Sequence, residues 1–382
     1  MSKTIYNTEN NICGPIGKDG GGVQKPSAVN SDIPVAISVV MPVYNTPKDF
    51  LCSALEGVLR QSFDDFEFLV IDDGSDQPTK DILHRYASLD RRVKIITCPH
   101  SNAGQARNEG LYRAKGKAII FLDSDDIFDP DLLRLSYDRL VETDADMVVF
   151  PYREYIDSEH STMGGCHLDG LPVLFSPKDY PEDIFIKLFP GTWNKLFRLS
   201  FFKEQNLSFQ SIRATNDLCC ILTAITRAKM ITLLNTPLIH YRVSNTVSLV
   251  HSVDNLVPYH LDACLQLKKN LETDGTWSLY RKPFYSMFIL CSALRFFDLP
   301  VREQRKTEKY IRQKYLVPLE LTGEVIPLLP DYLQTFAELI ILGKPSIRFG
   351  KARYVINEWK EIFFFGQALW RYKTKHRLHD KN

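Results

Sequence analysis

From Val35 onward, short runs of consecutive apolar residues alternate with stretches whose apolar positions recur every three or four residues. The first kind reads as buried strands and the second as helices packed through one face. Val35 to Met41 is the first strand. Thr46-Pro47 then reads as an N-cap and first helical residue, ahead of a face made by Leu51, Ala54, Leu55, Val58 and Leu59. Phe66 to Ile71 is the second strand, followed by a short helix over Pro78 to Ala87. Val93 to Thr97 is the third, with a helix over Gly104 to Ala114. Ala118 to Leu122 is the fourth, Asp129-Pro130 caps the next helix, and Asp146 to Phe150 closes the series. Strands alternating with helices in this way predict a parallel α/β sheet.

The rhythm then changes. Residues 152–176 read as a hairpin or loop excursion, 178–189 and 199–205 as helical, and 215–228 as a clear helix. Short strands follow near 230–234 and 238–243. From about 255 the pattern is helical and aromatic. The chain divides into a leader over 1–34, rich in Gly, Asn, Ser and Lys, an α/β domain over 35–250, and a helical region over 251–382.

Composition narrows the class. Of 382 residues, 44% are apolar and 24% charged, which suits a soluble protein with a real core. Lys+Arg is 47 against 46 for Asp+Glu, so no global field points to nucleic acid. The eight cysteines contain no C-x-x-C pair and read as reduced thiols. No secretory h-region and no run of about 18 apolar residues is present, so a cytoplasmic protein is expected.

The charge is unevenly spread, however. Residues 344–382 hold ten Lys and Arg against three acids, interleaved with Trp359, Phe363, Phe364, Phe365, Trp370 and Tyr372. This pattern suits either a helix lying peripherally on an anionic membrane face or a terminal helix docked on the domain.

Candidate chemistry sits where the strands end. In open α/β sheets, ligands bind beyond the carboxyl ends of the strands. Four ends here are polar: Pro42-Val43-Tyr44-Asn45, Asp72-Asp73-Gly74-Ser75-Asp76, Asn102 to Asn108, and Asp123-Ser124-Asp125-Asp126. Several carboxylates at one sheet edge repel unless a cation lies between them, and Mg²⁺ or Mn²⁺ takes one or two carboxylates plus substrate phosphates. An acid after the second strand can instead accept from a base N–H or ribose hydroxyl, and Tyr44 offers a stacking face. Asp76 and Asp129 read as turn and cap residues. No G-x-G-x-x-G, P-loop or G-x-S-x-G motif is present, which disfavours dehydrogenases, P-loop NTPases and α/β-hydrolases.

The segments ISVVMPVYN (37–45), FEFLVIDDGSD (66–76), NAGQARNEG (102–110) and AIIFLDSDD (118–126) together resemble glycosyltransferase family 2. The resemblance implies a GT-A fold, a Rossmann-like mixed sheet flanked by helices, with a C-terminal helical region. It implies that Pro42, Val43 and Tyr44 face the nucleobase, that Asp72 or Asp73 holds base or ribose, and that Arg107 lies near the donor phosphates. Asp123 and Asp125 match the D-x-D motif, with Asp125 the direct ligand of Mn²⁺ or Mg²⁺ and Asp126 a supporting partner. Asn216-Asp217 matches the family's Glu-Asp pair with Asn in place of Glu. Asp217 would then be the base, with a helix-capping role as its alternative. In GTWNKLFR (191–198), Trp193 and Lys195 could shape the acceptor pocket, or Trp193 could be core. His240 or His251 could approach the metal.

The activity this implies is inverting, metal-dependent transfer of one sugar from a nucleotide-diphosphate sugar, with UDP expected, to a glycan or lipid-linked hydroxyl. The competing classes are a sugar-phosphate nucleotidyltransferase and an inactive nucleotide-sugar-binding protein. Donor sugar, acceptor and linkage are not readable from these residues.

Overall fold

The computed structural model describes residues 35–155, 161–163, 168–182, 184–242 and 256–342. The expected leader, His251 and the basic aromatic tail lie outside the described residues.

The first strands form where apolar runs are longest. β1 (Ile37–Val43), β2 (Phe66–Asp72), β3 (Val93–Thr97) and β4 (Ala118–Phe121) pair in parallel, in the order β3-β2-β1-β4. All of β2 and nearly all of β1 is buried, as expected for central strands covered on both faces. α1 (Lys48–Leu59) buries Leu51, Cys52, Ala54, Leu55 and Val58, the predicted face. α2 (Gln77–Leu89) is capped by Asp76, whose side chain accepts from Thr79 N, as expected. α3 (Ala103–Arg113) is capped in the same way by Asn102. Two caps fall elsewhere. Helix α1 begins one residue beyond Pro47, and the Thr46 hydroxyl bonds Ser124 Oγ at 2.6 Å instead. Asp129 Oδ1 accepts from Asp131 N, and α4 (Leu132–Thr143) begins only after Asp131.

Beyond β4 the sheet is mixed rather than parallel throughout. β10 (Lys195–Arg198) inserts antiparallel between β4 and β6 (Met147–Val149). β11 (Ile231–Leu233) pairs in parallel with β6, and β9 (Leu174–Phe175) closes the eight-stranded sheet. A second sheet of order β5-β12-β7-β8 uses β5 (Ile127–Phe128), β12 (Ile239–Arg242), β7 (Tyr152–Tyr155) and β8 (Ser161–Met163).

The helix expected over 178–189 shrinks to α5 (Ile184–Lys187). Pro181 interrupts the helical path, and Phe189 takes a φ of 51° that a helix does not allow. α6 (Leu199–Glu204) forms as expected. α7 (Leu218–Arg227) starts three residues later than the expected 215, because Thr215 has a φ of 58°. Cys98, Cys219, Cys220, Cys264 and Cys291 form no disulfide, but Cys52 is disulfide-bonded, against the expectation of reduced thiols.

The helical region packs on α7, every residue of which is buried from Leu218 to Thr226. α8 (Val257–Thr273) lies against α7, and α9 (Trp277–Asp298) against α8 and α5. Asn270 Nδ2 donates to Thr223 Oγ1 at 3.0 Å, and Arg227 pairs with both oxygens of Asp274 at 2.7 and 3.0 Å. α10 (Val301–Lys314), a 3-10 turn over Gly323–Leu328, and α11 (Asp331–Leu342) complete the described region. One continuous apolar cluster runs from Ala36 to Ile341. No helix of the described residues is long and apolar enough to cross a membrane.

Candidate active site

The exits of β1 and β2 are stitched together. Asp73 N donates to Val43 O at 2.9 Å, Asp76 N to Asn45 Oδ1 at 2.8 Å, and Asn45 N to Ser75 Oγ at 3.3 Å. The Val43 carbonyl is thus engaged in the turn, and Pro42 lies within β1 opposite Ile71. Gly74 is required twice over: its φ is 76°, and a Cβ there would meet His100 N at 2.8 Å.

The two acids of this turn differ. Asp73 spends both oxygens on the next loop, taking Ser101 N at 2.8 Å on Oδ1 and His100 Nδ1 at 3.1 Å on Oδ2. Asp72 accepts Ser75 N on Oδ1, while its buried Oδ2 has no partner among the described residues. A buried acceptor left unpaired is costly and marks a place where a ligand could donate. Tyr44, half exposed, stacks on His100 with centroids 3.9 Å apart and planes 16° from parallel. His100 is not among the site residues expected from the sequence; its sole signal there is its position after the third strand.

The acids at the end of β4 occupy different environments. Asp123 Oδ1 pairs with Arg107 Nη2 at 2.7 Å. Asp126 is 1% exposed, accepts Arg242 N at 3.0 Å on Oδ1, and has a buried Oδ2 unpartnered among the described residues. Burial first, then the neighbouring Asp125 and Asp123 carboxylates, push its carboxyl well above the ordinary carboxylate range. The Asp125 carbonyl accepts Arg242 Nε at 2.9 Å, so β12 clips this turn from above.

Helix α3 holds the loop that carries Asp217. Asn108 Nδ2 donates to Phe209 O at 2.9 Å, and its Oδ1 accepts Phe209 N at 2.8 Å, a two-bond clamp on one residue's backbone. Gly104 lets the loop approach: a Cβ there would lie 2.3 Å from Gln210 O. Arg107 Nη1 donates to Asn216 Oδ1 at 2.9 Å while Nη2 holds Asp123, so one guanidinium ties the acidic strand end to the Asn216-Asp217 pair. Arg107 is therefore placed as a brace between carboxylate turn and loop. Asp217 stands at the N-terminus of α7 but makes no side-chain capping bond. Thr215, a β-branched residue in the left-handed region, sits two residues earlier, and such backbone clusters at functional sites.

Trp193 is buried, stacked on Tyr241 at 5.4 Å and edge-on to Tyr152 at 4.5 Å, the arrangement of a core ring. Lys195 is fully buried, and Nζ donates to Phe189 O and Gly191 O at 2.8 Å and to Asn194 Oδ1 at 2.7 Å. Those three bonds match the three donors of an ammonium, so Lys195 shapes the 189–194 loop from beneath. The charged neighbours of His240 are Arg153 and Asp129, and burial lowers its pKa. Tyr241 and Arg242 join the site without any distinct sequence signal, while Asn108 lies in the polar segment after the third strand.

The residues at β4 fit a divalent cation. Asp126 leaves one buried oxygen orphaned, and its carboxyl feels both neighbours. No group of three or more His, Cys, Asp or Glu converges as a complete ligand set among the described residues. Such a site suits an ion that shares its shell with substrate phosphates rather than one caged by protein.

Similarities to known proteins agree with this geometry. The family model "Glycosyl transferase family 2" matches residues 38–205. EpsH of Bacillus subtilis strain 168, named as a glycosyltransferase, is 31% identical over 217 residues, which cover 54% of this chain and 61% of EpsH. The chain thus spans under two thirds of that relative, and only 41% of the glycosyltransferase GlyG of Streptococcus pneumoniae. TuaG of the same Bacillus strain, named for teichuronic acid biosynthesis, is 30% identical over 219 residues, covering 56% of this chain and 81% of TuaG. Among solved structures, residues 1–349 of S. aureus TarS with UDP-GlcNAc superpose with a TM-score of 0.67 at 15% identity, covering 85% of this chain and 92% of that one. That likeness establishes the GT-A architecture. With the TuaG relationship and four motif segments meeting at one sheet edge, the chain belongs to glycosyltransferase family 2.

Proposed function

We propose that the protein is an inverting, metal-dependent glycosyltransferase that moves a single sugar from a nucleoside-diphosphate sugar to a hydroxyl of a glycan or lipid-linked acceptor. The observation that carries this reading is the Arg107 bridge, in which one guanidinium binds both Asp123 of the acidic turn and Asn216, the neighbour of Asp217. In this reading Tyr44 stacks on the nucleobase and Asp72 Oδ2 accepts from base or ribose. Asp125 and Asp123 would hold Mn²⁺ or Mg²⁺, which when bound would supply positive charge for the nucleoside diphosphate. Asp217 takes the acceptor's hydroxyl proton as its oxygen bonds the anomeric carbon and the carbon–phosphate oxygen bond breaks on the opposite face. TarS was solved with UDP-GlcNAc, which makes UDP the first nucleotide to test. The protein would work on the cytoplasmic side, with 344–382 meeting an anionic membrane face.

Calorimetric titration with UDP and Mn²⁺, paired with UDP release from UDP-sugars, tests this. Asp217→Asn should keep UDP affinity and lose at least about a hundredfold in turnover. Asp125→Ala should lose the metal-dependent part of UDP binding. Full activity in both variants would overturn the mechanism.

A further inference from the structure

Glu154 is a buried acid that the proposed reaction does not use. It lies on β7 and is 4% exposed. Burial alone moves its pKa, with no hydrogen bond or charge of the described residues contributing, and raises it to about 7. A carboxyl kept from water in this way calls for an explanation.

Topology places it beyond the sheet edge that carries the acidic turn. β10 is antiparallel to both β4 and β6, so β4 and β6 run the same way and end at the same sheet edge. β7 follows β6 directly, which puts Glu154 beyond that edge. The ends of β2, β1 and β4 succeed one another along it, carrying Asp72, Tyr44 and Asp123, and β6 lies further out past β10. On the proposed reading, nucleobase, ribose and diphosphate occupy the first three, so the sugar falls toward β6 and β7.

The second sheet turns Glu154 inward. Glu154 lies in register with Tyr241 of β12, and their side chains share a face. Burial first, and then the negative charges of Asp126, Asp125, Asp123 and Glu154, push the Tyr241 phenol up. β12 is bonded to the acidic turn through Arg242, which fixes this face against it. Arg153 and Tyr155 alternate to the opposite face, where Arg242 stacks over Tyr155.

We infer that Glu154 is a sugar-binding residue, whose buried carboxyl exchanges hydrogen bonds with a hydroxyl of the donor or acceptor sugar. A buried carboxyl that keeps its proton can both donate to and accept from a hydroxyl, which suits a neutral polyol better than a charged group. The inference rests on the glycosyltransferase reading above.

The test uses the full chain with Mn²⁺, UDP, and UDP-GlcNAc, UDP-glucose and UDP-galactose. Wild-type binding of UDP checks the parent reading first; its absence, with GDP and dTDP also failing, removes that reading and this one with it. Given binding, Glu154→Ala should hold UDP affinity within about twofold and lose at least about tenfold in sugar transfer. Glu154→Gln, which keeps shape and both hydrogen-bonding senses, should retain most of it and guards against a misfolded alanine variant. A parallel fall in donor hydrolysis to water assigns the contact to the donor sugar. Unchanged hydrolysis with a raised acceptor KM assigns it to the acceptor. Intact UDP binding with transfer and hydrolysis both unchanged in Glu154→Ala would overturn the inference, as would equal losses in the Gln and Ala variants with a matching loss of UDP affinity.

Discussion

At the scale of single residues, identical side chains are set apart by what surrounds them. Asp72 and Asp73 are adjacent, yet one leaves a buried oxygen open and the other spends both on residues 100–101. Sequence marks the pair but does not divide it, because the partners come from a loop 27 or 28 residues away. Glu154 shows the same limit, since nothing in Tyr-Arg-Glu-Tyr reveals that it is buried. Its titration gives a prediction. The folded carboxyl titrates near 7 against 4.5 for the ordinary group, so the folded state holds its proton more tightly. Stability from this source is complete below about pH 4.5 and is lost as pH rises through 7. Glu154→Gln has no such loss. Without added divalent ion, its stability relative to wild type should rise between pH 5 and pH 8 by up to roughly 3 kcal/mol. Urea denaturation at both pH values measures this, and a pH-independent difference would contradict it. Among the described residues, the titratable group in register with Glu154 is Tyr241, whose phenol also feels Asp123, Asp125 and Asp126.

At the scale of elements, α3 matters for what it carries on its outer side. The N-x-G-x-x-R-N spacing reads as a helix near the donor, and the helix is there. Its work is to dock the 207–217 loop through Gly104, Arg107 and Asn108. That role depends on residues about a hundred positions apart, which no local pattern reveals. Asn108→Ala removes both bonds to Phe209 and leaves a backbone N–H and C=O without them. The expected cost is about 1–3 kcal/mol of stability, with turnover reduced and UDP affinity unchanged; thermal melting and calorimetry check the two halves. Gly104→Ala forces a Cβ toward a backbone carbonyl that has little freedom to yield. It should destabilise by about 1–3 kcal/mol and slow turnover through the same loop. An unchanged melting temperature would rule out the close approach. The long strands β1 to β4 are legible in the sequence because they are buried runs of four to seven residues. β5 and β9 are not legible, since two residues carry almost no periodicity, and β12, read from the sequence as a strand over 238–243, has its pairing decided by neighbours.

At the scale of the whole molecule, the described helical region shares its core with the α/β domain. α7 is the common element, buried from Leu218 to Thr226 and packed on α8, and Arg227, Asn270 and Asp274 fasten its surface. Unfolding in urea followed by far-UV circular dichroism and by tryptophan fluorescence should therefore give coincident midpoints. Separated midpoints would mean that the two regions unfold independently. The structural likeness to TarS covers 85% of the chain, more than residues 35–242 can supply, so it too runs into the helices.

By itself the sequence determined the alternating strands and helices, the acidic strand ends and the family they resemble. These are local properties, written as runs, periods and turn residues within a few positions. Only tertiary structure decided that β10 inserts between β4 and β6, that Arg107 braces Asp123 to Asn216, that Lys195 is spent on a loop, and that Glu154 is buried beside Tyr241. Each is a contact between distant segments, fixed by which buried groups find hydrogen-bond partners once the chain has closed on itself.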